Sequence, residues 1–108
     1  MSSHLPESDW RRFKQVHTKL LERYCSRILE EVAVASRGNE NTAHDRYLRV
    51  YKLIQERNEQ MANAFDDFRR STAVMQLGIM RRMKLLADDE LGRFSEQTRI
   101  RVEGIASL

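Results

Sequence analysis

Apolar residues recur at three- and four-residue steps along most of this chain. Trp10, Phe13, Leu20, Leu21, Tyr24, Cys25, Ile28, Val32 and Ala35 form the first such series, the spacing of a helix with one apolar stripe. Pro6 suits its opening turn, because the N–H that proline lacks has no intrahelical partner there. Glu7 and Asp9 place negative charge at the positive end of the helix dipole. Gly38 follows the last turn and can take a positive φ. The pattern predicts a helix over 6–37.

The run Ser36-Arg37-Gly38-Asn39-Glu40-Asn41-Thr42 is rich in turn and capping residues and marks a break centred between Asn39 and Glu40. Thr42 with Asp45 makes a weak capping box. From there a seam reads Tyr47, Tyr51, Ile54, Asn58, Met61, Phe65, Phe68, Thr72, Met75, Ile79, Met83 and Leu86. Alternating steps of four and three describe coiled-coil-like packing. They predict one long helix over 42–87, weakened at Gly78 by about 1 kcal/mol. A rival reading breaks it near 71–72, where Ser71 or Thr72 could cap a separate helix that folds back within the monomer. Beyond 87, Asp88 can cap one turn through Leu91, and Ser95 can cap a short helix over 95–104. Phe94, Ile100 and Ile105 are the expected anchors of this tail.

A short connection makes the first two helices antiparallel neighbours. With the turn centred as above, facing residue numbers sum to roughly 79, within a turn's slippage. Phe13 then approaches Phe65, and Trp10 approaches Phe68. The first helix is exhausted near residue 69, so 69–87 overhangs by about 28 Å. Val74, Leu77 and Leu85 lie opposite the seam there, and a segment that is apolar nearly all round is buried from several directions. The expected architecture is all-α: one helical domain over 1–108, an antiparallel hairpin plus a C-terminal helix. Its overhangs are expected to assemble as a dimeric bundle. The expected homodimer or partner interface is Val74, Met75, Leu77, Ile79, Met80, Met83 and Leu85.

Charge sharpens the picture. The 108 residues are 32% charged with a net charge of +3. That small total hides a segment, 69–87, holding Arg69, Arg70, Arg81, Arg82, Lys84 and no acid. Three of the five methionines, Met75, Met80 and Met83, lie in it. Adaptable Met beside Arg suits a protein partner. Arg70, Arg81, Arg82 and Lys84 could instead contact phosphates of a nucleic acid or an acidic partner. A third reading pairs these bases with Asp88, Asp89, Glu90 or Glu96 across the dimer.

Catalytic constellations are not evident. Glu-x-x-His pairs and close glycine pairs do not occur, so no metal, cofactor or phosphate-loop site is expected. Cys25, amid Leu21, Ile28 and Leu29, reads as a buried inert thiol. His17 reads as a hydrogen-bonded seam residue near Met61 or Ala62, and Asn58 as a register-setting polar residue. Asp66 should pair with Arg70 at i,i+4, with Asp67 facing water. The N-terminal residues lack a secretory pattern, no stretch is apolar enough to span a membrane, and one thiol fits a reducing compartment. The sequence therefore predicts a cytoplasmic, non-enzymatic interaction module of the small adaptor or regulatory-subunit kind, with a nucleic-acid-associated regulator as the alternative.

Overall fold

The computed structural model describes residues 5–38 and 41–108. The expected turn at Asn39 and Glu40, and Met1 to His4, lie outside the described residues. The described residues form five α-helices: α1 (Glu7–Ala35), α2 (Ala43–Phe65), α3 (Ala73–Arg82), α4 (Asp88–Leu91) and α5 (Glu96–Ala106). Among the described residues there is no strand. None of the helices is long and apolar enough to cross a membrane.

Local chemistry explains most of the boundaries. Pro6 occupies the N-cap of α1, and its carbonyl accepts the Trp10 N–H at 2.9 Å. Gly38 takes φ 113° after the helix ends, a conformation that costs glycine little. The Thr42 hydroxyl accepts the Asp45 N–H at 3.1 Å and caps α2. Ser95 caps α5 in the same way through Thr98 N–H. In α4 the N-cap is Ala87, not Asp88, and the Glu90 carboxylate reaches back to accept the Ala87 N–H at 2.9 Å. Helix α5 continues through Gly104 to Ala106.

The long helix expected over 42–87 is two helices. The chain leaves α2 after Phe65, Asp67 takes φ 55°, and α3 begins at Ala73. Asp is among the few residues other than glycine that adopt a left-handed conformation at modest cost. The Thr72 hydroxyl closes this turn, donating to the Asp67 carbonyl at 2.6 Å while accepting the Arg69 N–H at 3.2 Å. The Gln76 side-chain amide donates to the Asp66 carbonyl, satisfying backbone that has left the helix. Asp66 consequently has no helical i,i+4 relation to Arg70; Arg70 instead donates to the Leu5 carbonyl and to Glu7.

Helix α3 packs chiefly on α5, and the segments at its two ends are tied to α1. Arg70, before it, meets Leu5 and Glu7, whereas the carbonyls of Met83, Lys84 and Leu85 after it accept from Arg27 and Arg23. The core joins Leu5, Phe13 and Leu20 to Leu77, Met80, Leu85, Leu86, Leu91, Phe94 and Val102. Ile100, an expected anchor, is 66% exposed, and Val102 and Thr98 take the inward positions of α5.

Between α1 and α2 the pairs run in opposite order along the two helices. Trp10 meets Phe68 at 5.1 Å between ring centroids, His17 meets Phe65 at 5.3 Å, Tyr24 bonds Gln60 and Glu31 pairs with Arg57. Only Ala64 and Phe65 of α2 are buried. The rest of α2, with the end of α1 beyond Ile28, projects from the core as an arm, and the molecule measures 55 × 25 × 24 Å.

Gly78 has a role beyond weakening a helix. A Cβ there would collide with Cβ and Cγ2 of Ile105, and these branch points cannot swing away as a chain end could. Gly78→Ala would gain about 1 kcal/mol of helix propensity but would wedge α3 from α5 at an overpacking cost of about 1–3 kcal/mol. We expect a lower melting temperature in calorimetry.

Candidate interaction surface

The structure redistributes the residues expected to form an interface. Leu77, Met80 and Leu85 are buried within the single chain. Val74, Ile79 and Met83 are half-buried against the same core, and only Met75 is exposed. Much of the apolar excess of 69–87 is therefore covered within the chain, which corrects the assignment of Leu77, Met80 and Leu85 to an intermolecular surface. Burial from several directions follows from folding back, as in the rival reading.

The basic residues are also engaged internally. Arg81 donates to Glu103 at 2.7 Å, to Asp88 at 2.5 Å and to the Leu86 carbonyl at 2.8 Å. Arg82 donates to the Ile105 carbonyl at 2.8 Å, near the end of α5. With Arg70 held by Leu5 and Glu7, three of the four expected phosphate contacts serve in-chain partners. Lys84 is exposed and takes φ 59°. Arg81 thus answers Asp88 of α4 and Glu103 of α5 within one chain, where the sequence placed such pairing between two.

Two buried carboxylates were not legible as important. Asp9 accepts from Ser95 N–H at 3.0 Å, Ser95 hydroxyl at 2.6 Å and Thr98 hydroxyl at 2.6 Å, tying the start of α1 to the start of α5. Burial opposes its ionisation, but these bonds and nearby Arg12 outweigh burial and hold its pKa below the ordinary value. Glu90 accepts both terminal nitrogens of Arg23 at 2.7 and 3.0 Å. That fork, opposed by burial and assisted by the Ala87 N–H and Lys19, holds Glu90 down to about 2. Each carboxylate has its acceptor positions filled by the protein, which is the arrangement of a structural clamp.

His17 stacks on Phe68 with centroids 3.8 Å apart and meets Phe13 and Phe65 edge-on. Burial lowers its pKa, against partial support from the Phe65 backbone. Cys25 is half-buried, so the expectation of a fully buried thiol is corrected. Among the described residues, no three His, Cys, Asp or Glu side chains gather where they could hold a metal ion.

The sizeable feature left over lies on the arm. Tyr47, Tyr51 and Ile54 are 64%, 53% and 41% exposed, and Leu29 of α1 is 67% exposed. The first six positions of the heptad seam, Tyr47 to Phe65, were expected to face α1. In the structure α2 turns Arg57 and Gln60 toward Glu31 and Tyr24, with Val50 and Leu53 half-buried. At 100° per residue the seam sits roughly 90° away from that contact. The seam residues Tyr47, Tyr51, Ile54 and Asn58 are thus open along the arm. On α2, every Asp, Glu, Lys and Arg falls in the remaining part of the helical wheel, leaving an arc about 140° wide without charge. Along residues 18–32 of α1, Thr18, Leu21, Cys25, Leu29 and Val32 form a similar uncharged arc. Because the pairs run in opposite order, both arcs fall on one side of the helix pair, away from α3.

Comparisons with protein-family models, with curated proteins and with solved structures find no match.

Proposed function

We propose that this chain is a non-enzymatic protein-interaction module whose docking face is the uncharged side of the α1–α2 arm. The observation that carries the reading is the exposed stripe of Tyr47, Tyr51 and Ile54 within an arc free of charge. Charge depletion with aromatic enrichment characterises the centre of a protein interface, and ordinary solvated helix faces carry Lys and Glu. On this reading α1 and α2 act as an antiparallel, coiled-coil-like hairpin, and the α3–α5 layer braces its base. The half-buried free thiol of Cys25, adjoining the face, suits a reducing compartment such as the cytoplasm.

The in-chain engagement of Arg70, Arg81 and Arg82 weighs against a phosphate track along 69–87. Immobilised wild-type chain and a Tyr47→Glu/Tyr51→Glu variant of equal helicity test the reading. Wild type is expected to retain a protein ligand, whether a copy of itself or another chain, and the variant to lose it. Equal retention by the two would sink the proposal.

A further inference from the structure

We infer that the occupant of this face is a second copy of the same chain, with α2 packed antiparallel against α2 of the partner. The inference rests on the docking-face reading above and specifies its ligand. Tyr47, Tyr51, Ile54 and Asn58, the exposed part of the seam, repeat at steps of four and three, the spacing that a facing helix of the same kind fills with knobs in holes. Helix α1 does not fill this part, because α2 meets α1 through Arg57 and Gln60, and only the Met61 and Phe65 end of the seam packs on the core with α1. A two-fold axis through this stripe brings uncharged arc against uncharged arc, so self-pairing meets no like-charge repulsion. A foreign acidic or basic partner would find nothing in the arc to recognise.

Register follows from the polar groups. In an antiparallel pair the residues at alternate seam positions face one another. With the axis between Tyr51 and Ile54, Tyr51 faces the partner's Ile54 and Asn58 faces the partner's Tyr47. The Asn58 amide and the Tyr47 hydroxyl then satisfy each other within an otherwise apolar seam. A slip of one heptad sets Asn58 against Ile54 and leaves its amide unpaired, which costs roughly 1–3 kcal/mol at each of two symmetric sites. Area is adequate as well. Taking about 200 Å² for an aromatic side chain, Leu29, Tyr47, Leu48, Tyr51 and Ile54 leave roughly 500 Å² open per chain. Leu21, Cys25, Val32, Met61 and the adjacent stems bring this toward the about 800 Å² per partner of a standard interface.

Sedimentation equilibrium of the full chain at 10 to 100 µM, as rough working concentrations for an interface of this size, decides the matter. Wild type is expected at twice the 12.8 kDa chain mass. Ile54→Glu is expected at the single-chain mass with unchanged helicity, because residue 54 is exposed in the single chain and outside its core. Met75→Glu, exposed on α3, is expected to stay at twice the mass. A single-chain mass for wild type overturns the second-copy proposal and leaves the docking face to the retention experiment, which can still succeed with a different protein. A dimeric Ile54→Glu, or a Met75→Glu that dissociates, also overturns the proposal by placing the contact elsewhere.

Discussion

Leu77→Glu is expected to abolish cooperative folding of the single chain. Leu77 is fully buried among α1, α3 and α5. Removing a buried leucine alone costs about 2–5 kcal/mol through lost transfer energy and the cavity left behind. Glutamate adds the penalty of a carboxylate without a cation in reach, or of a shifted protonation equilibrium at neutral pH. Domains of this size are stable by only about 5–15 kcal/mol, so the combined loss consumes most or all of the margin. Circular dichroism and urea titration should show a chain with reduced helicity and no sigmoidal transition at 25 °C. A surface role for Leu77 requires the opposite result, retained helicity with an altered mass in solution. Leu77→Ala serves as the graded control, with a folded baseline and a transition midpoint shifted by the smaller amount.

The contrast between those outcomes shows what periodicity can convey. Helix starts were legible because they depend on residues next to one another: Pro6 before Glu7, Thr42 before Asp45, Ser95 before Thr98. The Trp10–Phe68 contact was legible from counting across a short turn. The end of α2 was not. Phe68, Thr72 and Met75 continue the heptad spacing, and no Gly or Pro interrupts it, so local propensity contains no instruction to stop. What stops the helix is distant in sequence: Leu5 and Glu7 hold Arg70, and α3 packs on α5 with Leu77 and Met80 in the shared core. The local signal that was available is the tandem Asp66-Asp67, able to tolerate a positive φ, followed by the cap residues Ser71 and Thr72. The apolar excess of 69–87 did establish that this segment is buried from several sides. It could not establish whether the cover belongs to the same chain.

The candidate site moved for a related reason. A 3.5-residue seam identifies a stripe but not its occupant, and α2 has two stripes to distribute. Val50, Leu53 and the stems of Arg46 and Arg57 form the one turned toward α1, where Arg57 finds Glu31 at 2.7 Å. An arginine whose stem packs while its head pairs reads as polar in any hydrophobic pattern. The inner stripe was therefore hidden behind charged residues, and the outer stripe was mistaken for it. The lack of charge across 140° of α2 was readable throughout, but net charge by segment averages over the helix faces that matter.

Glu90 should make this protein acid-sensitive in a defined window. Its carboxylate is buried at the junction of α1, α3 and α4, bonded to Arg23 and the Ala87 N–H. The folded-state pKa is about 2 against an ordinary 4.5. A depressed folded pKa means that the unfolded chain takes up the proton first as pH falls. The stabilisation is complete above about pH 5, shrinks as pH falls below the unfolded value, and is gone below about 2. At roughly 1.4 kcal/mol for each pKa unit, its size at neutral pH is about 3 kcal/mol. Glu90→Gln removes the charge while keeping the shape, and leaves the Arg23 guanidinium facing a neutral amide. At pH 7 the variant is expected to melt at least about 10 °C below wild type, given about 4–8 °C per kcal/mol for a small domain. At pH 3 the gap should be much smaller, because wild type has then lost most of the ionised-state advantage. A gap that stays constant from pH 7 to 3 would show that ionisation of the Glu90 carboxylate is not the source of the difference. Asp9, also buried with a lowered pKa, adds to acid sensitivity in wild type and variant alike. It therefore cancels when the two melting curves are subtracted, and the difference reports the Arg23–Glu90 clamp.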